Sequence, residues 1–327
     1  MVRIREGSEA ILMRWADFHC DVLSKLLTGE AEHFAGEGAV KLDVTYERLQ
    51  AGGADLQNFA IYLPQHMPKK FDRVLQAVDL FYRHILTKPG ISFVRTSEDL
   101  IEASKQGKMA AMLSLEGTEG LEGDLTSLRI LYYLGLRSIG ITWNHANWAG
   151  DGVLEPRQGG LTQQGRELIK LCNELGILID VSHLAEKGFW EAADLSVRPI
   201  IASHSNVRAI HDHPRNLTDE QIRAIIARDG LIGMTYVPWF VKRDAVVKLE
   251  DLLPHIERVC SLGGERHLML GSDFDGIDTH IDRLANPTET PMLLEQLDRR
   301  YGTRIAKGIA RDNLWSFLLR HLPTQSA

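Results

Sequence analysis

A chain of 327 residues, 44% hydrophobic and 25% charged, has the balance of an ordinary globular protein and a length that one α/β barrel can reach. Its net charge of −7, from 37 Lys plus Arg against 44 Asp plus Glu, argues against nucleic-acid or anionic-membrane partners, which call for basic patches. The cysteines, Cys20, Cys172 and Cys260, are odd in number and show no C-x-x-C spacing, so a reducing compartment fits better than a disulfide framework.

In chain order, residues 1–7 are charged and lack the apolar stretch of a signal peptide. Short apolar runs then follow at 16–23, 54–63, 109–115, 136–142, 177–182, 199–203, 231–237 and 267–272, each near strand length and bounded by Gly, Pro or polar residues. Helix-like stretches lie between them. Residues 71–86 place Val74, Leu75, Val78, Phe81, Tyr82 and Ile85 on one stripe, and 166–175 do the same with Leu168, Leu171, Cys172 and Leu175. Thr218-Asp219-Glu220-Gln221 reads as a capping box for a helix through Arg228. Gly135, Gly176 and Gly230 stand where a left-handed residue would end a helix, and further helices are expected at 291–301 and 304–321. No run approaches the roughly 18 apolar residues of a membrane span. Residues 322–327 carry no lipid-anchor tail, so the protein is expected to be soluble and cytoplasmic.

Strict β-α alternation implies a parallel sheet, because each crossover needs a dozen or more residues. Eight units close into a (β/α)8 barrel of the TIM type, or leave an open doubly wound sheet. Polar placement separates the two. His19 and Asp21 lie in the first run, Glu116 ends the third, His183 the fifth, His204 the sixth and Asp273 the eighth. Strand ends of an α/β barrel converge on one face, where active sites form. Strands one, three, five, six and eight of an open sheet could not meet at a point. The expected organisation is therefore one barrel domain over 1–327, with C-terminal helices at about 290–321 packed on it.

The residue types make chemical sense together. His19-x-Asp21 is an i, i+2 pair whose side chains leave one face of a strand. Imidazoles with carboxylates suit zinc or a similar divalent ion, and manganese or cobalt could substitute. Glu116 has two oxygens and can bridge two ions about 3.5–4 Å apart, holding a water or hydroxide of pKa about 7. Asp273 could accept and return the proton. Other readings exist for single residues. Asp21 could cap a helix at 24–27, Asp273 could be a turn residue before Gly276, Asp17 could replace Asp21, and Glu119 and Glu122 compete with Glu116. A lone strand-end histidine is more often a hydrogen-bonded loop residue; the joint pattern is what points to a site. His33, His66, His84, His255, His267, His280 and His321 read as surface or packing residues.

Six segments carry a family resemblance: Asp17-Phe18-His19-Cys20-Asp21, Ser114-Leu115-Glu116-Gly117, Asp180-Val181-Ser182-His183, Ala202-Ser203-His204-Ser205, Pro214-Arg215-Asn216 and Gly271-Ser272-Asp273-Phe274-Asp275-Gly276. Together the chain resembles the membrane (renal) dipeptidase family of zinc peptidases, family M19, in a soluble bacterial-type form. The resemblance implies two zinc ions, one on His19 and Asp21, the other on His183 and His204, bridged by Glu116. It implies that Arg215 grips the carboxylate of a dipeptide, a task suited to a planar guanidinium. Without the resemblance, Arg215 reads as a solvated loop charge or a partner of Asp212. Asp273 would handle the proton and bind the free amino group. A C-terminal D-residue in the substrate and a homodimer are also compatible with the family.

One position departs from the family pattern. Members carry a histidine in a Thr-His-Asn-like motif after the fourth strand, and here Thr142-Trp143-Asn144-His145 puts Trp143 there. An indole offers only an N–H donor, so Asn144 or His145 is expected to meet the substrate instead. Losing one oxyanion donor can cost about 10²–10³ in rate, which bears on efficiency and substrate range but not on the metals. Ala310-Arg311-Asp312-Asn313-Leu314-Trp315 matches the family's glycine-rich Asn motif only loosely. The expected activity is dipeptide hydrolysis by a hydroxide bridging two zinc ions. Two alternatives stay open: a barrel amidohydrolase acting on another small amide, lactone or phosphoester, and a metal-retaining binding protein.

Overall fold

Eight parallel strands follow one another around a ring: β1 Trp15–Asp17, β2 Ala54–Tyr62, β3 Met109–Glu116, β4 Leu136–Gly140, β5 Leu178–Asp180, β6 Ile200–Ala202, β7 Leu231–Met234 and β8 Leu268–Leu270. In this computed structural model, which describes residues 3–6, 9–243 and 246–324, β8 pairs with β1 at Leu270↔Asp17. The β2–β3 ladder, from Leu56↔Ala110 to Tyr62↔Glu116, completes the closed barrel, so the open-sheet alternative is excluded. Residues 1–2, 7–8 and 325–327, on which the expectations about leader and tail partly rest, lie outside the described residues.

Each expected run overlaps one barrel strand, but the first run is misread at its end. β1 stops at Asp17, so His19 and Asp21 are not strand residues and lie past its carboxyl end. A short strand Ile91–Phe93 pairs with the start of β3, and Arg3–Glu6 pairs with Glu9–Leu12 as a separate antiparallel hairpin. Neither was expected, because three or four residues are too few for a periodicity to register.

Every residue of β3 is buried, as barrel strands are covered by helices outside and by one another inside. Ala16, Leu56, Met112, Leu178, Ile201 and Met269 form the inner cluster, joined by Leu314, Phe317 and Leu318 of the last helix, Asn313–His321. That helix packs at the amino-terminal side of the strands, which leaves the carboxyl-terminal face open. The stripe at 71–86 is an α-helix, Phe71–Leu80, that runs into a π-helical turn, Phe81–Ile85. The Thr218 capping box forms with both bonds, Gln221 N to Thr218 Oγ1 at 3.2 Å and Thr218 N to Gln221 Oε1 at 2.9 Å. After this helix the left-handed residue is Asp229 (φ 57°) and not Gly230. Gly230 is needed for a different reason: a Cβ there would stand 2.1 Å from Ile200 O. No helix among the described residues is long and apolar enough to cross a membrane.

Candidate metal centre

The chain just past β1 shows how two polar side chains reach the barrel axis. The Asp17 carboxylate accepts from Ser272 N (2.8 Å), Ser272 Oγ (2.5 Å) and Gln57 Nε2 (3.2 Å), and so ties β1 to β2 and β8. Asp17 therefore does not replace Asp21. Beyond it, Cys20 bridges in parallel with Phe274, and Asp21 N donates to Phe274 O at 2.9 Å. This extended course along the continuation of β8 puts His19 and Asp21 on one side, as the i, i+2 spacing anticipated. Asp21 does occupy the N-cap position of the helix Val22–Thr28, but its side chain makes no capping bond. Glu116 ends β3, and His183, His204 and Asp273 come just past β5, β6 and β8.

These side chains meet at the axis. His19 Nε2 lies 3.6 Å from Asp21 Oδ2, 3.5 Å from Glu116 Oε2 and 3.6 Å from Asp273 Oδ1. On the other side, Glu116 Oε1 is 2.7 Å from His183 Nε2 and 3.6 Å from His204 Nε2. The two imidazole nitrogens are 2.8 Å apart. One carboxylate thus turns each of its oxygens toward a different group. Three overlapping sets, His19/Asp21/Glu116, Glu116/His183/His204 and His19/His204/Asp273, each hold their ligand atoms within 4.8 Å of one another.

The electrostatics follow from burial and crowding. Burial pushes the His19 imidazole down, but Glu116 and Asp21 outweigh it and hold its pKa well above the usual value. Burial pushes His183 down to about 4, with Arg215 adding. Burial also holds His204 well below the usual range, with His19 and Arg215 adding. Both shifts favour the neutral imidazole, the form that binds a metal. Burial lifts the Asp273 carboxyl to about 8, His19 opposing and Asp21 and Glu116 adding.

His183 Nδ1 is 2.8 Å from Asn144 Oδ1, an acceptor, so Nδ1 carries the proton and Nε2 turns its lone pair to Glu116. His19 Nε2 and Asp21 Oδ1 are buried without a hydrogen-bond partner. Buried polar atoms normally have one, and a cluster of unpartnered nitrogen and carboxylate donors fits divalent cations. Gly276 lets the turn after β8 approach this cluster: a Cβ there would stand 2.4 Å from Asp21 Oδ2 and 2.7 Å from Asp273 Oδ1.

Arg215 is 3% exposed, so it is not a solvated loop charge, and among the described residues it pairs with no carboxylate, Asp212 included. Its Nη2 meets His183 Nε2 at 3.0 Å, and its guanidinium carbon lies 5.3 Å over the Phe240 ring. Its Nε and Nη1 have no partner. A cavity of about 420 Å³ opens here, lined among others by Tyr62, Trp143, Arg215, Phe240, Asp273 and Ile277. The Trp143 ring packs 5.2 Å from Tyr62 and 6.1 Å from His183.

Asn144 lines the cavity, although its oxygen is engaged by His183. His145, expected at the substrate, is exposed and lies outside the cavity lining. The reason is the loop backbone: Gly152 N donates to His145 O (3.1 Å) and Leu154 N to Asn144 O (2.8 Å), and the His145 ring is left facing outward. Glu119 accepts from Trp143 N at 3.5 Å behind the cavity wall, and Glu122 pairs with Lys70 at the surface. Sequence reasoning passed over Tyr62, Phe240 and Ile277. Tyr62 stands one residue before the end of the second run and could have been noticed there; Phe240 lies in a one-turn helix, Pro238–Val241, and Ile277 in a loop, both without a periodic signal.

Comparison with known proteins agrees with this geometry. The family model described as "Membrane dipeptidase (Peptidase family M19)" matches residues 9–320. The Klebsiella pneumoniae protein in the pqqA 5′ region is 41% identical over 208 residues, 60% of this chain and 76% of that protein. Dipeptidase tcpJ of Claviceps purpurea (strain 20.1) is 29% identical over 243 residues, 73% of this chain but only 56% of that one. Among solved structures, the dipeptidase AC, a metallo peptidase of family M19, has a TM-score of 0.88 at 28% identity, covering 97% of this chain and 100% of its own. A metallo peptidase from Rhodobacter sphaeroides, liganded with a phosphinate mimic of the dipeptide L-Ala-D-Ala, has a TM-score of 0.85 at 28% identity, covering 95% and 100%.

Proposed function

The chain belongs to the membrane dipeptidase family, peptidase family M19, a family of metallopeptidases, and from that premise we propose that it hydrolyses dipeptides with two zinc ions, those with a C-terminal D-residue among them. His19 and Asp21 would hold one ion, His183 and His204 the other, and Glu116 would bridge them. When bound, such ions supply Lewis acidity toward the scissile carbonyl and a water acidic enough to act as nucleophile near pH 7.

The protein's own groups supply the rest. Arg215 would take the substrate carboxylate on one of its unpartnered nitrogens together with Nη2, in the paired geometry a guanidinium edge offers. Asp273 faces the same cavity; as the carboxylate, the form that bound cations beside it would favour, it would bind the free amino group, accept a proton from the attacking water and return it to the leaving amine. Asn144 would hold the His183 ring in its ligating tautomer while lining the substrate cavity. The side chains of Tyr62, Trp143 and Phe240 would exclude bulk water from the bound dipeptide. The observation that carries this reading is the juxtaposition of five buried ligand-type side chains with a buried guanidinium that has two free N–H groups. The dipeptide mimic bound to the Rhodobacter sphaeroides relative supports the substrate class and the D-residue.

The test is a panel of L-L and L-D dipeptides assayed before chelation, after chelation and after zinc restoration. The proposal expects cleavage that chelation abolishes and about two equivalents of zinc per chain restore. Cleavage indifferent to chelation refutes the mechanism. Stoichiometric metal binding with no dipeptide cleaved shows a binding protein instead.

A further inference from the structure

Asp180, the last residue of β5, is buried below the two histidines that follow β5 and β6. Its Oδ1 accepts from Ser182 N (3.0 Å), Ser182 Oγ (2.7 Å) and Ser203 N (2.9 Å). Its Oδ2 accepts from Ser203 Oγ in a short hydrogen bond. His204 N in turn donates to Ser182 Oγ at 3.2 Å. One carboxylate therefore clamps the ends of β5 and β6 together, one residue before His183 and one before His204.

Ser203 Oγ has two further neighbours, Ser182 Oγ at 3.2 Å, whose own proton goes to Asp180 Oδ1, and His204 Nδ1 at 2.7 Å. A hydroxyl has one proton to give. Two oxygens in the contact that Ser203 and Asp180 make need a proton between them, and a carboxylate accepting three other donors has none to offer. The serine proton therefore points at Asp180. What Ser203 presents to the imidazole is a lone pair, and His204 Nδ1 must be the donor. The opposite tautomer would leave Nδ1 facing a serine oxygen with no hydrogen to share, and would put a hydrogen on the nitrogen that faces Glu116 in the candidate metal centre.

We infer that Ser203, backed by Asp180, is a positioning residue that fixes His204 as the Nδ1-protonated tautomer, so that its Nε2 lone pair faces Glu116 and His183. The role in metal affinity rests on the proposed ligation by His204; the tautomer does not. The charge of Asp180, relayed through one hydroxyl, makes Nε2 a stronger donor atom, as outer hydrogen-bond partners of ligating histidines do.

Two measurements test this. Long-range ¹H–¹⁵N spectra of the metal-free wild type are expected to show His204 protonated at Nδ1, and protonation at Nε2 overturns the inference without any variant and whatever the enzyme cleaves. Zinc titration against a chromophoric chelator is expected to show Ser203→Ala weakened by about 10–100-fold at one of two sites, with Ser203→Thr restored toward wild type. Affinities unchanged at both sites, or weakened equally at both, refute the positioning role. A folded, fully metallated Ser203→Ala that cleaves dipeptides poorly also refutes it, since the effect would then lie in catalysis and not in ligation.

Discussion

Replacing Arg215 by Lys and by Met separates the charge of this residue from its shape. The guanidinium is buried, and its Nε and Nη1 are without partners. Either of them, with Nη2, forms a planar edge of two N–H groups that matches the two oxygens of a carboxylate. Each hydrogen bond to a charged group is worth about 1.5–3 kcal/mol, so Arg215→Met, losing both, is expected to lower kcat/KM for a dipeptide by about 10²–10⁴. Arg215→Lys keeps the charge and one bond, and is expected to lose about 10–10². The assay compares each variant on a dipeptide and on the same dipeptide with its C-terminus amidated, with zinc content and thermal denaturation as controls. The amide has no carboxylate to anchor, so wild type should use it poorly and Arg215→Met should lose little further on it. Equal losses on both substrates would refute the reasoning and place the effect of Arg215 in its contact with His183.

Gly276→Ala would drive a Cβ to 2.4 Å from Asp21 Oδ2, and zinc affinity is expected to fall at least tenfold, measured by chelator competition, in a protein that still folds. The bond between His280 Nε2 and Asp43 Oδ2, 2.9 Å, should make stability depend on pH. That bond raises His280 above its ordinary 6.5 with burial opposing, so its contribution is full below 6.5 and is lost as pH rises through the raised value. Burial pushes Asp43 up, but the His280 bond and the Asp275 amide outweigh it and hold it below 3.8, so its contribution is lost only as pH falls through that lowered value. The Tm gap between wild type and His280→Gln is therefore expected to be widest between 3.8 and 6.5 and to close at higher pH; a gap that widens above 6.5 refutes the assignment. Thr218→Ala removes one half of the capping box, and urea denaturation should show a loss of about 1 kcal/mol with zinc affinity unchanged.

Much of the architecture was readable before the structure because its causes are local. A strand covered on both faces must be apolar over its length, and a helix on the outside must repeat every three or four residues. The runs at 54–63 and 109–115 obeyed the first rule and became β2 and β3. Misreadings arose where neighbours in space overrule local pattern. The first run looked continuous through Leu23, yet β1 stops at Asp17, whose carboxylate is engaged by Ser272 and Gln57. Gly230 looked like a helix cap and is instead a point of close approach to Ile200. His145 sat two residues from the expected position, but its loop backbone directs the ring away.

By itself the sequence determined that eight strands alternate with helices, and that histidines and carboxylates fall just after the strands whose ends meet at a barrel axis. Those follow from periodicity and composition, which each segment carries within itself. Only the tertiary structure decided which acids face the axis, leaving Asp21 and Glu116 there while committing Asp17 and Glu119 elsewhere. It also decided how the ligands are held: Asn144 against His183, Ser203 against His204, and Arg215 buried with two free donors. These are relations of distance between residues far apart in the chain. A hydrogen bond exists within a few tenths of an ångström or not at all, and spacing along a sequence cannot supply that.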